Sequence, residues 1–241
     1  MKPRLRPFLL ALLTVVAISF ALPARALIEA RVDCNGMKEG EPPPTANPVS
    51  GMVAVKPTSV STNDAAGAFV RVETVEAFKG KAIVVDDRSG GEEGKYGWVN
   101  LGGIAKKDAV HTGKVYLHFD WVSLARTTGN IGFVSVRNAS GATILSLMFD
   151  HTTTGLVILC GDQKTSLKSV LGLGMPVSVK IMLDLDGLRY EVSLNESKMA
   201  EGALAPENDN SFLGVGFSTA TSGVSRFAVK NLIISPNPIQ R

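Results

Sequence analysis

The stretch of sequence that decides the fold is residues 177–194, which read VSVKIMLDLDGLRYEVSL. Apolar residues occupy every second position on both sides of a central Asp186-Gly187 pair. A period of two is typical of a β-strand with one buried face, because successive side chains point to opposite sides of a sheet. Asp-Gly between two such runs is the strongest short-range signal for a β-hairpin with a type I′ turn. We therefore predict a hairpin that turns at residues 186 and 187.

A two-residue turn also fixes the register of this hairpin. It places Leu185 opposite Leu188 and carries the apolar face of one strand onto that of the other. The predicted apolar pairs are Leu183 with Tyr190 and Ile181 with Val192. On the reverse face, the same register sets Asp184 opposite Arg189, a cross-strand pair of opposite charge.

Similar short runs recur along most of the chain, separated by turn residues. They predict strands at residues 68–75, 81–86, 96–100, 113–124, 131–137, 143–150, 155–161, 176–185, 188–195, 212–219 and 226–234. No segment sustains a helical period, and residues 164–171 could form a single helical turn or a loop. The pattern predicts an all-β fold, a sandwich of two antiparallel sheets.

The first 26 residues have the three zones of a secretory signal peptide. A basic start (Lys2, Arg4 and Arg6) precedes an apolar run at residues 8–22, and Ala24-Arg25-Ala26 supplies a small-x-small cleavage pattern. The alternative, a membrane anchor, needs about 20 apolar residues, and this run is shorter. We expect cleavage after Ala26 and a secreted or periplasmic protein with no transmembrane segment.

The remaining chain divides into two parts. Residues 27–61 contain several prolines, which lack an amide donor, so we expect an irregular arm draped over the sandwich. Residues 62–241 form the sandwich domain. Four of the 25 basic residues lie in the signal segment, which leaves one acidic residue in excess over the basic ones. This balance argues against nucleic acid as a partner, since such binding needs a concentrated basic surface.

The order of these features resembles the concanavalin A-like (laminin G-like) lectin and glucanase superfamily. The resemblance rests on the phrases KAIVVDD at 81–87, KVYLHFD at 114–120 and FLGVGF at 212–217, on the Asp-Gly hairpin, and on a final strand at 226–234. It covers about residues 45–235 and implies a jelly-roll sandwich of lectin type. It is a resemblance of pattern and carries no catalytic or binding signature.

The sequence argues against catalysis. The glucanase members of the superfamily carry a Glu-x-Asp-x-x-Glu strand, and no strand here matches it. A Gly-x-Ser-x-Gly nucleophile elbow is also absent, and the three histidines have no evident serine partner.

The most site-like group is the polar row Tyr116, His118 and Asp120, which shares one face of a predicted strand. Its side chains offer the donors and acceptors that a polyol needs. Arg137 and Asp150, on strands that we expect to neighbour this one, extend this predicted ligand site if their pleat parity agrees. The alternative is a solvated outer face, with Phe119 and Trp121 in the core.

Two further predictions concern cysteine and calcium. Export with two cysteines favours a disulfide between Cys34 and Cys160, and the alternative is two separate buried thiols. The sequence indicates no cofactor, although acidic residues at 86–87 and 92–93 could hold calcium through oxygen ligands. The alternative is a solvated acidic loop.

Three classes of function remain. The first is a non-catalytic lectin-like module that binds carbohydrate or another extracellular ligand. The second is a structural or interaction protein of the cell envelope, with a cell-surface protein as partner. The third is a glycan-active hydrolase or lyase. The low aromatic content, 6%, counts against a strong polysaccharide binder.

Overall fold

A computed structural model describes residues 29–46, 56–62, 67–88, 98–103, 108–125, 131–150, 153–205, 209–219 and 224–239. The strands in these ranges form two sheets that pack face to face, which confirms the predicted antiparallel sandwich. The predicted signal peptide at residues 1–26 lies outside the described residues. None of the described residues belongs to a helix long and apolar enough to cross a membrane.

One sheet has eight strands. Seven of them follow the order β13-β12-β11-β6-β15-β4-β3, and the eighth, β1, pairs with the C-terminal part of β15, which extends past β4. Its members are β1 (Ala30–Val32), β3 (Ala68–Val75), β4 (Gly80–Asp87), β6 (Lys114–Ser123), β11 (Val177–Asp184), β12 (Arg189–Leu194), β13 (Ser197–Ala203) and β15 (Ser225–Ser235). A short 3₁₀ turn, Glu76–Phe78, joins β3 to β4.

The other sheet has seven strands, in the order β10-β9-β8-β7-β14-β5-β2. Its members are β2 (Ser59–Ser61), β5 (Trp98–Leu101), β7 (Ile131–Arg137), β8 (Thr143–Asp150), β9 (Gly155–Cys160), β10 (Gln163–Leu167) and β14 (Gly214–Thr219). The inner strands of this sheet, such as β8 and β9, have one face in the core and one face turned away from it.

An aromatic stack fills the core between the sheets. The Trp121 ring lies between Phe149 (centroids 4.3 Å apart) and Phe227 (4.0 Å), nearly parallel to both. Gly132 on β7 makes room for this stack, because a Cβ built there would lie 2.2 Å from the edge of the Trp121 ring. Phe119 is likewise buried, so the prediction that Phe119 and Trp121 face the core is confirmed.

The central hairpin, β11 with β12, has the predicted register. Leu183 pairs with Tyr190, and Asp184 pairs with Arg189. The predicted type I′ turn is wrong, because neither Asp186 nor Gly187 has positive φ, which instead falls on Leu188 at 49°. The Asp184 carboxylate accepts a hydrogen bond from the Gly187 N–H (2.8 Å), and this local bond selects a different turn.

A type I′ geometry occurs instead in the next hairpin, between β12 and β13. Asn195 (φ 48°) and Glu196 (φ 67°) form its two-residue loop, so that Leu194 pairs with Ser197. Type I′ turns need positive φ at both central residues, and glycine is favoured at the second. Glu196 therefore holds a backbone conformation that costs an L-residue free energy.

The N-terminal arm is less irregular than predicted. It contributes β1 to one sheet and β2 to the other, both too short for their alternation to be recognised. Residues 39–41 also bond to β3, the edge strand of the eight-stranded sheet. Val72 donates its N–H to Glu41 O (2.9 Å) and accepts from the N–H of Gly40 (2.8 Å). The Glu39 side chain accepts from the Thr74 N–H (3.0 Å), and this bond lowers the Glu39 pKa.

Candidate functional site

The predicted polar row Tyr116, His118 and Asp120 lies on β6, in the middle of the eight-stranded sheet. Its side chains point away from the core, as the period of two requires. The structure does bring these three residues to one face. It also covers that face, so the row is not an open surface.

His118 is completely buried under a bulge of β15. The ladder between β15 and β6 shifts register between Lys230 and Ile233, and Asn231 adopts a positive φ of 54° there. The backbone oxygen of Asn231 lies 3.2 Å from His118 Nδ1, and Ser178 Oγ lies 3.1 Å from Nε2. Both ring nitrogens thus have partners within the protein.

Asp120 is almost as well enclosed, with 8% of the residue exposed. Asn231 Nδ2 donates to one of its carboxylate oxygens (2.6 Å), and the other oxygen lies 3.6 Å from His118 Nε2. The His118–Asp120 pair therefore forms part of an internal polar network, whose members satisfy one another.

Tyr116 faces a cleft of about 190 Å³ that the C-terminal tail partly covers. Pro238 and Ile239 line this cleft, and Lys180 Nζ donates to the Ile239 backbone oxygen (3.2 Å). Lys180 also pairs with Glu196 (2.6 Å). The tail thus occupies part of the surface beside Tyr116.

Arg137 and Asp150 do not extend the row. They lie on β7 and β8 of the seven-stranded sheet, so the prediction that their strands neighbour β6 is wrong. The chain crosses to the other sheet between β6 and β7, a step that pleat parity does not reveal. Asp150 accepts hydrogen bonds from the N–H (3.2 Å) and the hydroxyl (2.9 Å) of Thr153.

Arg137 instead lines a pocket of about 160 Å³ on the outer face of the seven-stranded sheet. The residues that line it come from β5, β7, β14 and the adjoining loops: Thr58, Asn100, Gly103, Arg137, Gly141, Leu213, Gly214 and Val215. We call it the Arg137 pocket. Two of the three outward-facing residues of β14 beside it, Gly214 and Gly216, have no side chain.

Asn100 and Arg137 converge on the space above Gly216. A Cβ built on Gly216 would lie 2.8 Å from Asn100 Oδ1 and 3.6 Å from a terminal nitrogen of Arg137. The two polar atoms are therefore within about 6.4 Å of each other, the sum of those distances. The pairing of β14 with β5 sets Gly216 directly opposite Asn100, and its pairing with β7 sets Gly214 opposite Arg137.

The hydrogen bonds around Asn100 leave one of its polar atoms unpaired. Asn100 Nδ2 donates to Ser59 Oγ (2.8 Å), which orients the amide. Asn100 Oδ1 is buried and has no hydrogen-bond partner among the described residues. A buried polar atom without a partner costs free energy of about 1–3 kcal/mol.

A strip of half-buried apolar side chains continues from the pocket across the same face. Phe133, Met148 and Val157 align on β7, β8 and β9 in one row of the ladder. Ser135 and Ser146 pair in the row beside it. This combination of apolar and hydroxyl side chains suits the mixed faces of a sugar ring.

Sequence analysis missed Asn100 and Gly216 as site residues. The alternation Gly214-Val215-Gly216 does hold a signal, because glycine within a strand often marks the close approach of another group, here the Gly103 backbone at Gly214 and the Asn100 side chain at Gly216. Which strands lie on either side of β14 depends on the tertiary fold, so the sequence alone could not show that Asn100 and Arg137 flank this strand.

The predicted Cys34–Cys160 disulfide is wrong, since both residues are free and buried. Cys34 follows β1 beside β15 and β4, whereas the Cys160 thiol contacts the backbone oxygen of Ala203 on β13. Strands β11 and β6 lie between these two ends of the sheet, and strands are about 4.8 Å apart. A disulfide needs Cα atoms within about 7 Å. Burial raises the pKa of Cys34 to about 11.

Of the four residues proposed for calcium, Glu92 and Glu93 lie outside the described residues. Asp86 is buried and forms ion pairs with Arg88 (2.9 Å) and Arg226 (3.1 Å). Asp87 accepts a hydrogen bond from the Thr219 hydroxyl (3.1 Å). Across the described part of the chain, no three His, Cys, Asp or Glu residues are arranged to hold a metal ion.

Comparison with known proteins gives likeness of structure alone. No protein-family model matches the chain, and no curated protein matches it. Among solved structures, the cellulose-induced protein Cip1 is 16% identical with a TM-score of 0.58, over 88% of this chain and 99% of Cip1.

Two sialidases are also similar. One is 13% identical with a TM-score of 0.57, over 73% of this chain and 16% of the sialidase. The sialidase of Trypanosoma rangeli is 11% identical with a TM-score of 0.50, over 76% of this chain and 29% of the enzyme. The chain thus spans less than a third of either sialidase. At these identities the comparisons show the fold alone, a two-sheet antiparallel jelly-roll sandwich.

Proposed function

We propose that this domain binds carbohydrate without catalysis, and that its binding surface is the outer face of the seven-stranded sheet. The observation that carries the proposal is the Arg137 pocket. Asn100 Oδ1, which is buried and has no hydrogen-bond partner among the described residues, and the Arg137 guanidinium both lie close to the position that a Cβ on Gly216 would take. Sites for small polar ligands are concave and contain a few convergent polar groups. We further propose that the protein acts outside the cytoplasm.

The side chains on this face favour binding over hydrolysis. Glycoside hydrolysis commonly uses two carboxylates on opposite sides of the bond that is cleaved. Among the described strand residues that point outward from this sheet, Asp150 is the one acid, and Thr153 holds its carboxylate. The solved structures that share the fold include two proteins named as sialidases and one named for induction by cellulose. Their names favour a sugar ligand.

A pair of matched variants tests which sheet carries the site. Ser135→Trp places a large side chain on the proposed face, beside Gly216. Ser193→Trp places the same side chain on the outer face of the eight-stranded sheet, in the cleft that Tyr116 lines. Binding of neutral and acidic polysaccharides is measured by affinity electrophoresis, and melting temperatures verify that both variants fold.

We expect Ser135→Trp to weaken binding at least tenfold, about 1.4 kcal/mol, and Ser193→Trp to leave it unchanged. Loss of binding in Ser193→Trp alone would move the site to the face of Tyr116, His118 and Asp120. If no polysaccharide binds the unaltered protein, the proposal of a carbohydrate-binding module is rejected.

A further inference from the structure

We infer that the Arg137 pocket binds an acidic sugar, one whose ring carries a carboxylate next to a hydroxyl. This inference rests on the proposed function and names the class of ligand for the same site. It comes from the charge balance at Arg137 and from the hydrogen-bonding state of Asn100.

Among the described residues, Arg137 has no anionic partner, and its side chain makes neither a hydrogen bond nor an ion pair. Two other arginines of the sandwich are paired, Arg226 with Glu73 (2.7 Å) and Arg88 with Asp86 (2.9 Å). A half-buried guanidinium has lost part of its hydration, and its permanent charge favours an anion that restores the lost interactions.

The geometry of a guanidinium favours a carboxylate in particular. Its planar fork of N–H donors matches the two oxygens of a carboxylate, which it binds through two parallel hydrogen bonds. A lysine in the same place would offer only a point charge. If Arg137→Lys no longer distinguishes a carboxylate from other anions, the guanidinium recognises the carboxylate itself and does not only attract negative charge.

Asn100 supplies the second half of the recognition. Its Oδ1 needs a donor, and the Arg137 guanidinium lies within about 6.4 Å without donating to it. A ligand in the pocket that both residues line can donate a hydrogen bond from a hydroxyl to Asn100 and present an anion to Arg137. A uronic acid at the non-reducing end of a chain has this arrangement, since its C5 carboxylate and its free C4 hydroxyl project from adjacent carbons, whereas in an internal 4-linked residue that oxygen is part of the glycosidic bond.

The apolar strip of Phe133, Met148 and Val157 lies along the same face. Phe133 lies four residues along β7 from Arg137, about 13 Å, so the strip offers an apolar surface to a sugar further along the chain of the ligand. The predicted ligand is therefore an acidic oligosaccharide that extends along this face, with the carboxylate of its non-reducing terminal uronate at Arg137.

The test uses the full chain and six probes in isothermal titration calorimetry. Two probes carry uronate carboxylates: oligogalacturonides and hyaluronan oligosaccharides. Two more are their methyl esters, which keep the rings and remove the charge. Dextran sulfate supplies anionic groups without carboxylate, and unsubstituted dextran is the neutral reference.

The variants are Arg137→Gln, Arg137→Lys and, as the matched control, Arg189→Gln. Arg189 is exposed on the other sheet, so its replacement removes the same charge far from the pocket. We expect at least one uronate probe to bind, its methyl ester to bind at least tenfold more weakly, and Arg137→Gln to lose at least tenfold in affinity. Arg137→Lys should recover only part of that loss, and Arg189→Gln should match the unaltered protein.

Each other outcome overturns the inference in a recognisable way. Equal binding of esters or dextran rejects the acidic sugar and leaves the proposed carbohydrate function intact. If dextran sulfate binds as tightly as the uronate probes and Arg137→Lys keeps full affinity for them, the pocket is a general anion site. An effect of Arg189→Gln equal to that of Arg137→Gln shows that net charge is responsible. Absence of binding to every probe rejects both the inference and the proposed function.

Discussion

Replacement of Gly132 by alanine tests the packing of the sandwich most directly. The new Cβ would lie 2.2 Å from Cη2 of Trp121, 2.5 Å from Cζ2 and 2.9 Å from Cδ1 of Phe227. Carbon atoms in contact are normally about 3.5–4.0 Å apart, so the indole edge must move by more than about 1 Å. Phe149 and Phe227 stack on its two faces and oppose that movement.

Overpacking of this kind costs about 1–3 kcal/mol, and we expect Gly132→Ala to lie near the upper end because the neighbours are rings on both sides. For a domain of this size, a loss of about 3 kcal/mol lowers the melting temperature by roughly 6–12 °C. Urea unfolding followed by far-UV circular dichroism gives the free energy of unfolding. Gly36→Ala is the control, since a Cβ there meets no atom within 4 Å.

A second replacement determines whether the clash is with the indole. Phenylalanine lacks the ring atoms that the new methyl group meets, so Trp121→Phe should relieve the strain in the Gly132→Ala background. The double variant should then be more stable than the sum of the single changes predicts, by at least about 1 kcal/mol. Strict additivity, or an unchanged urea midpoint in Gly132→Ala, would refute the packing described for this core.

Five further predictions concern other parts of the chain. Glu196→Gly should raise the free energy of unfolding by about 1 kcal/mol because it relieves a positive φ, whereas Glu196→Ala should not, and urea midpoints decide between them. The raised pKa of Cys34, about 11, means that the folded state retains a proton that the unfolded state loses above pH 9. Stability should therefore be intact below pH 9 and fall by about 2 kcal/mol toward pH 11, a slope that Cys34→Ala should reduce. Unreduced, denatured protein should also show two free thiols on titration. His118→Ala should lower the free energy of unfolding by about 1–3 kcal/mol, since it strands buried polar partners, and an unchanged melting temperature would contradict the network. Mass spectrometry of exported protein should give an N-terminus at Leu27, and a retained leader would refute cleavage.

Sequence alone predicted the strands that alternate strongly. The bounds of β3, β7 and β8 agree with the prediction residue for residue, because each has one face in the core and the other outside it. Strands β10 and β13 were missed. They lie at the edges of their sheets and are exposed or half-buried along their length, so burial imposes no alternation on them.

The candidate site was less accessible to sequence analysis. Arg137 was named as a candidate ligand residue, but its sheet was wrong, because neighbours in a sandwich depend on where the chain crosses between sheets. The alternation of β6 places His118 on the outward face, but the β15 bulge covers it. Sequence analysis could not show this, because the bulge is more than a hundred residues away along the chain. That the row Tyr116, His118 and Asp120 contributes to binding remains a prediction.

The contact between the N-terminal arm and β3 bears on association of the protein with itself. Residues 39–41 occupy backbone groups of Val72 and Thr74 that would otherwise be open along the edge of the eight-stranded sheet. An open edge is a template onto which a second molecule can add its own edge strand. A protease that trims the chain past Glu41 would therefore have two effects: it would remove β1, whose Ala30 and Val32 are buried in the core, and it would open an edge along which two molecules can pair.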